Sequence, residues 1–146
     1  MRLVNGSTEN EGRIEVRKSN ESWGIVCDDF FDINDGNVFC KMLGYSNGAE
    51  TIYTLGETIS QAHFGHGNLS YHLDDLQCTG EEESFLDCHL QCYGEEESYL
   101  DCPILEASKG WDSHNCEPGE AAGVKCYPSE YVLQFIIIIY YNIIYT

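Results

Sequence analysis

The sequence predicts a small α+β domain held together by disulfide bonds, and three observations lead to this fold class. The chain of 146 residues contains eight cysteines, an even number that is typical of a disulfide framework in an oxidising compartment. Polar and apolar residues alternate over residues 13–17, a pattern that is typical of a half-buried strand. Apolar residues then recur at helical spacing over residues 38–43, which predicts a short amphipathic helix.

Residues 13–27 are expected to form a β-hairpin. In the first strand Ile14 and Val16 alternate with charged residues, so the charged side chains are expected to face solvent. The polar residues 19–22 follow and predict a turn. Residues 23–27, which read Trp-Gly-Ile-Val-Cys, are then expected to form the returning strand.

The predicted helix has recognisable signals at both ends. Asp32 and Asp35 are residue types that cap the free backbone N–H groups at a helix start, and Gly44 is well placed to end the helix. Cys40 lies inside the segment, so the helix is expected to carry one end of a cross-link. Residues 46–72 are rich in Gly and Asn and predict loop with short strands.

An internal repeat follows this region. Residues 76–88 recur almost unchanged at residues 90–102, with a period of 14 residues and only two copies. This period is too short for a solenoid unit, so a local tandem duplication is the simplest explanation. Each copy contains its own cysteine pair, and the eight cysteines therefore amount to six plus one duplicated pair.

The two ends of the chain do not fit a complete secreted protein. No apolar segment follows Met1, so a signal peptide is not predicted, and the chain is expected to be a fragment. Residues 127–146 form a tail rich in Ile and Tyr, and its apolar run, residues 131–146, is shorter than the ~20 residues that a spanning helix needs. Three interpretations stay open for this tail: a non-native extension, a truncated membrane anchor and an additional packed strand.

The charge of the chain excludes several classes of partner. Seven basic residues stand against 25 acidic ones, which gives a net charge of −18. A nucleic-acid-binding protein needs a basic face, so nucleic acid is not expected as a partner. The balance favours cations, basic partners, or anions that are bridged by a bound metal ion.

Local motifs agree with an extracellular, non-enzymatic protein. Three N-x-S/T sequons supply candidate glycosylation sites at Asn5, Asn20 and Asn68. Zinc binding is an alternative use of the cysteines, but a dense CxxC pair is missing and the nearest spacing is Cys88-x3-Cys92. The sequence contains no GxSxG, HExxH or P-loop motif, so catalysis is not expected.

Many ordered motifs in this sequence resemble those of the scavenger receptor cysteine-rich (SRCR) family. The resemblance extends over about residues 2–126. It rests on residues 4–6 (VNG), 11–16 (EGRIEV), 23–29 (WGIVCDD), 38–44 (VFCKMLG), 64–67 (FGHG), 73–81 (LDDLQCTGE), 114–116 (HNC) and 122–126 (AGVKC). It implies a compact, disulfide-bonded domain in which a curved antiparallel sheet cradles one main helix and long loops connect the elements.

The family pattern also implies how the cysteines pair. The chain resembles the six-cysteine form, because Asn10 and Tyr45 stand where the eight-cysteine form has its additional bridge. The implied long-range bridges are Cys27–Cys116 and Cys40–Cys126. In the duplicated loop we expect Cys78–Cys88 and Cys92–Cys102, and the alternative is Cys78–Cys102 with Cys88–Cys92.

Acidic residues near the expected Cys27–Cys116 bridge predict a cation site. The bridge would bring Asp28, Asp29 and Glu120 into one neighbourhood, where three carboxylates repel one another unless a cation neutralises them. Oxygen ligands suit Ca²⁺ or Mg²⁺, and the resemblance implies that the same residues bind a cation used in ligand recognition. A second, weaker site is expected from Asp74, Asp75 and Asn115, and the resemblance implies that these residues lie near the first group. The alternatives are a solvated acidic face or helix cap for the first group and a turn for the second.

The resemblance implies an extracellular ligand-binding module of scavenger-receptor type, at the cell surface or secreted, with innate immunity and endocytosis as its setting. We expect it to bind an extracellular protein or a polyanionic or microbial ligand through a bound cation. The parent protein is expected to be either anchored in a membrane or secreted. Two alternatives stay open: a non-catalytic accessory module of a larger secreted or membrane enzyme, and a defective gene fragment.

Overall fold

A curled sheet that forms a half-barrel around one helix is the body of the domain. The computed structural model describes residues 1–54, 62–90 and 111–129, and these contain one α-helix, α1 (Ile33–Met42), and one 3-10 turn, Phe85–Asp87. The strands in these ranges are β1 (Arg2–Asn5), β2 (Glu11–Val16), β3 (Gly24–Val26), β4 (Ala49–Tyr53), β5 (Tyr71–Leu73), β6 (Leu76–Gln77), β7 (His89–Leu90) and β8 (Gly123–Cys126).

The main sheet has the strand order β4-β8-β2-β3-β5, with β1 also paired to β2. The predicted hairpin is present, because β2 and β3 pair antiparallel. All pairs in this sheet are antiparallel except β3 with β5, which run parallel. The α+β class and the curved sheet with one helix expected from the sequence are therefore confirmed, with one parallel pair that the sequence did not predict.

Strand β2 is more deeply buried than its alternating pattern predicts. Arg13 is 4% exposed and Glu15 is 1% exposed, although both were expected to face solvent. They form a buried ion pair with 2.7 Å between Arg13 Nη2 and Glu15 Oε1, and Arg13 also donates to the carbonyl oxygens of Phe64 and Gly65. Arg2 reaches the other Glu15 oxygen at 2.7 Å. The charges stay inside because each has a partner, which is the condition for burying an ion.

Helix α1 begins and ends at the predicted signals. The Asp32 side chain accepts hydrogen bonds from backbone N–H groups of the first turn, and the Asp35 side chain accepts from the Asp32 N–H to complete a capping box. Gly44, with φ +96°, follows the C-cap Leu43 in a conformation that favours glycine. The buried Phe39 stacks on Phe85 with 5.1 Å between ring centroids.

Among residues 1–54, 62–90 and 111–129, none of the helices has the length and apolar character of a membrane-spanning segment.

Three disulfide bonds fasten the loops to this core. They join Cys27 to Cys116, Cys40 to Cys126 and Cys78 to Cys88, with Cα–Cα distances of 6.2, 5.6 and 4.6 Å. The first two pairs are the long-range bridges that the family pattern implies, and the third is the pairing that we expected within the first copy of the repeat rather than the alternative Cys78–Cys102. The expected Cys92–Cys102 bridge, the second copy of the repeat after residue 90 and the apolar tail after residue 129 lie outside the described residues.

Candidate functional site

The parallel pairing of β3 with β5 brings two aspartate pairs to one edge of the sheet. Val26 lies opposite Leu73, and the Cys27 N–H donates to the Leu73 carbonyl oxygen at 2.8 Å. Asp28 and Asp29 come just after β3, and Asp74 and Asp75 come directly after β5. Both acidic pairs leave the sheet at the carboxyl end of their strands, so the fold gathers residues that are more than forty positions apart.

The segment that carries Glu120 is fixed against the same edge. The Cys27–Cys116 bond connects its start to the end of β3, and the Asp28 N–H donates to the Glu120 carbonyl oxygen at 2.8 Å. The buried Tyr71 holds the segment from β5: its hydroxyl donates to the Glu117 carbonyl oxygen at 2.7 Å and accepts from the Glu120 N–H at 3.1 Å. We call the residues gathered here the acidic edge: Asp28, Asp29, Asp74, Asp75, Asn115 and Glu120.

Three side chains of the acidic edge contact one another directly. With its side-chain nitrogen turned toward them, Asn115 donates to Asp74 Oδ2 at 3.1 Å and to Asp29 Oδ2 at 3.2 Å. If the amide turns over, its oxygen faces the same two carboxylate oxygens. Asp29 and Asp74 also lie beside the Cys27–Cys116 sulfurs, which are unavailable as thiolate ligands because they are bonded to each other. The three contacting side chains therefore supply oxygen ligands, which hard cations prefer.

Electrostatics connects the two groups that the sequence treated as separate. Burial raises the pKa of Asp29, and the carboxylates of Glu120, Asp74, Asp28 and Asp75 raise it further, in that order. The pKa of Asp74 is also raised by burial and by Asp75, although hydrogen bonds from backbone N–H groups oppose the shift. The charged forms of both aspartates are thus destabilised, and a bound cation would offset this destabilisation.

The six predicted metal ligands do not all converge on one point. Asp29, Asp74 and Asn115 form the contact described above, so Asp29 lies with the second predicted group rather than only with the first. The Glu120 carboxylate folds back and accepts from the Glu117 N–H at 2.6 Å. Asp28 is buried beneath the edge. These two acids supply negative charge near the contact, while Asp75 adjoins it in a left-handed turn with φ 54°.

An open cleft adjoins this contact and leaves room for a ligand. It has a volume of about 220 Å³ and is lined by Asp74, Asp75, Ser113, His114 and Asn115. Ca²⁺ takes six to eight oxygen ligands, so two carboxylates and one amide leave positions for water or for a group of a ligand. Sequence reasoning assigned neither Ser113 nor His114 to this site: Ser113 belongs to no recognisable ligand motif, and His114 was identified as part of the HNC motif at residues 114–116 but not as a ligand.

Phe30 is a further residue that the sequence reasoning missed. It directly follows Asp28 and Asp29, has φ 58° and is 57% exposed. A left-handed conformation is unfavourable for a bulky side chain. Because the ring is exposed, burial of apolar surface does not offset this cost. Ile33 is also exposed nearby in sequence. The double Phe after the aspartates was the available signal: Phe31 is buried in the core, and Phe30 is left exposed.

The three candidate glycosylation sites lie at the surface. Asn5, Asn20 and Asn68 are all exposed, as attachment of a glycan requires. The Asn5 side-chain nitrogen donates to the Phe64 carbonyl oxygen at 3.2 Å, so a glycan there would replace a local contact. Glycosylation of these residues stays a prediction.

Comparison with known proteins gives consistent matches along most of the chain. The family model for the scavenger receptor cysteine-rich domain matches residues 4–91. The macrophage receptor MARCO of Mesocricetus auratus is 38% identical over 126 residues, which cover 86% of this chain and 20% of the relative. Galectin-3-binding protein of the same species is 36% identical and is covered over 17% of its length. The chain therefore spans about a fifth of the length of the curated relatives it matches.

Solved structures agree with the fold. The third SRCR domain of murine neurotrypsin has 34% sequence identity and a TM-score of 0.62, over 88% of this chain and 96% of that one. The dimeric form of the SRCR domain of mouse MARCO has 35% identity and a TM-score of 0.52, over 87% and 94% of the two chains.

Proposed function

The chain belongs to the scavenger receptor cysteine-rich family, and from this premise we propose that it is an extracellular ligand-binding module whose acidic edge recognises ligands through a divalent cation. The single observation that carries the proposal is the contact among Asp29, Asp74 and Asn115, where carboxylate oxygens from two strands meet one amide. Similarity to the macrophage receptor MARCO of two rodent species supports the extracellular ligand-binding role.

The residues of the acidic edge have distinct roles in this proposal. Asp29 and Asp74 supply charged oxygen ligands, and the Asn115 amide turns over to supply a neutral one. Asp28, Asp75 and Glu120 add negative charge that raises the affinity for the cation. Ca²⁺ fits better than Mg²⁺, because its coordination is flexible and tolerates a mixture of carboxylate, amide and water oxygens. The open positions then bind an anionic group of a protein, polyanionic or microbial ligand.

An accessory role within a larger protein is the second candidate. The chain spans only about a fifth of the curated relatives, so its parent protein is expected to contain further domains. An SRCR module beside a secreted or membrane-bound catalytic domain would use the same acidic edge to hold a substrate or surface. We propose no catalytic residue in this chain, and ligand binding remains its function in either setting.

Calcium titration of the full chain tests the proposal. Isothermal titration should show binding that Asp29→Asn and Asp74→Asn each weaken by about 100-fold, since replacement of outer partners alone typically costs 10–100-fold. Asp87→Asn is the matched control, because Asp87 is an exposed acid in the Cys78–Cys88 loop, and it should leave the affinity unchanged. Equal calcium affinity in wild type and both site variants would disprove cation binding at the acidic edge.

Ligand capture provides a second measurement. Binding of the full chain to immobilised polyanion or bacterial cell wall should be lost in EDTA and restored by Ca²⁺ in excess. At the lowest calcium concentration that saturates wild type, the same surface should capture little of the Asp29→Asn chain. Capture that persists in EDTA and in both variants would mean that this chain recognises ligands without a cation.

A further inference from the structure

A cleft on a different part of the surface from the acidic edge has the features of a second binding site. Its volume is about 360 Å³, within the ~300–1,000 Å³ range of small-molecule sites. Arg17, Lys18 and Ser19, in the turn between β2 and β3, form one side. Phe85 and Leu86 of the 3-10 turn, together with Trp111, form the other. We call these six residues the basic cleft.

The basic cleft is positively charged on a strongly acidic protein. The chain has only seven Lys and Arg residues against 25 acids, yet two of the seven line this one cleft. Aromatic rings hold the cations in place: Lys18 Nζ lies 5.0 Å from the Trp111 ring centroid, and the Arg17 guanidinium lies 4.5 Å from that of Trp23. Arg2, whose charge is paired with Glu15, contacts the same Trp23 ring at 4.1 Å and lies outside the lining of the cleft.

The walls of the basic cleft are apolar, and one polar group there lacks a partner. Phe85 and Trp111 lie edge to face with 6.1 Å between centroids, and Leu86 continues their surface. The buried Trp111 Nε1 has no hydrogen-bond partner in the part of the chain that the structure describes. Because this N–H is buried, the groups that can meet a ligand are the cations and the aromatic walls. This combination suits a ligand that has an anionic group and an apolar body.

We propose that the basic cleft binds a small amphiphilic anion: a carboxylate or sulfonate attached to an alkyl or aryl body. The anionic group lies between Arg17 and Lys18, and the apolar body packs on Phe85, Leu86 and Trp111. A sugar polyanion would leave the apolar walls uncovered. A neutral lipid would leave the cations without a counter-charge. The site requires no metal ion, and it is therefore independent of the function proposed for the acidic edge.

Anilinonaphthalene sulfonate is a suitable probe, because it combines an aryl body with a sulfonate and fluoresces when its surroundings are apolar. The full chain should bind one probe molecule with a dissociation constant of about 10–100 μM, as expected for a ligand of this size. Dodecanoate should displace the probe, and dodecanol, which has the same chain without the charge, should not.

Variants locate the probe on the protein. Arg17→Gln combined with Lys18→Gln should weaken binding about tenfold, and Leu86→Asn should weaken it similarly. Lys125→Gln is the matched control, since Lys125 is a surface cation on β8 paired with Glu50, and it should leave binding unchanged. Circular dichroism and the masses of the intact disulfide-bonded chains check that each variant folds.

Each outcome decides the proposal. Unchanged probe binding in the Arg17→Gln/Lys18→Gln chain would place the probe elsewhere and overturn it. Equal displacement by dodecanol would overturn the anionic part. Displacement by an acidic peptide but not by dodecanoate would replace the amphiphile with a protein partner. Binding that survives EDTA and Asp29→Asn is expected, and its loss under those conditions would show that the cleft is not an independent site.

Discussion

The carboxyl group of Asp35 makes the stability of this domain depend on pH in an unusual direction. Asp35 is 0% exposed, and its oxygens accept from the backbone N–H groups of Asp32 and Cys78, each at 2.7 Å. Burial raises the pKa of Asp35 from 3.8 to about 7, against the opposing effect of these hydrogen bonds. The side chain thus joins the start of α1 to the Cys78–Cys88 loop in a place where a negative charge is disfavoured.

The magnitude follows from the size of this shift. A pKa that differs by one unit between folded and unfolded states corresponds to ~1.4 kcal/mol, so the free energy of unfolding changes by about 4 kcal/mol in total. Below about pH 4 the group is protonated in both states. As the pH rises, the unfolded chain releases its proton first, so the contribution of Asp35 to stability falls and is lost once the pH passes about 7.

Urea unfolding of the full chain and of Asp35→Asn, each from about pH 4 to about pH 8, measures this effect. Asparagine does not ionise, so the stability difference, wild type minus variant, should fall by about 4 kcal/mol across that range. Other carboxylates cancel in the difference, and Asp87→Asn should show a flat difference as the exposed control. A stability difference for Asp35→Asn that is also independent of pH would refute the raised pKa.

Two further predictions concern charged and strained residues. Glu15→Gln should lower the free energy of unfolding by about 3–5 kcal/mol, because it leaves the buried Arg13 guanidinium without its counter-charge. Arg2→Gln should cost less than about 1 kcal/mol, since that partner is 48% exposed, and equal losses in urea unfolding would contradict the ranking. Phe30→Asn should raise the stability by up to about 1 kcal/mol, because Asn tolerates a left-handed φ better than Phe. A thermal melt that shows a loss for Phe30→Asn would mean that the ring makes stabilising contacts.

Local signals in the sequence predicted the local elements of the fold. Asp32 and Gly44 mark the ends of α1 because capping depends on residues within one turn of the helix. The β2–β3 hairpin was predictable for the same reason: its turn and both strands lie within one short stretch. The resemblance to the SRCR family supplied the curved sheet, which no local pattern in this chain specifies.

The composition of the acidic edge depends on contacts that local patterns do not encode. Strand β5 has only three residues, too few for an alternating pattern, and its parallel partner β3 lies more than forty positions earlier. The resemblance implied that the two acidic groups lie near each other, but no local pattern specifies the direct contact of Asp29 and Asp74 with Asn115. The burial of Arg13 and Glu15 was missed for a related reason, because a charged residue in an alternating strand normally faces water.

The pairing of β6 with β7 has a consequence for the repeat. Leu76 lies opposite Leu90, and these are the first residues of the two copies. The chain therefore leaves at Leu76, closes the Cys78–Cys88 loop, and returns beside its own starting point. A segment with this property can be copied in tandem without lengthening the path between the elements on either side. Duplication of this particular block is thus the kind of change that the domain can accept: the cross-linked loop is a unit that begins and ends at one place in the fold.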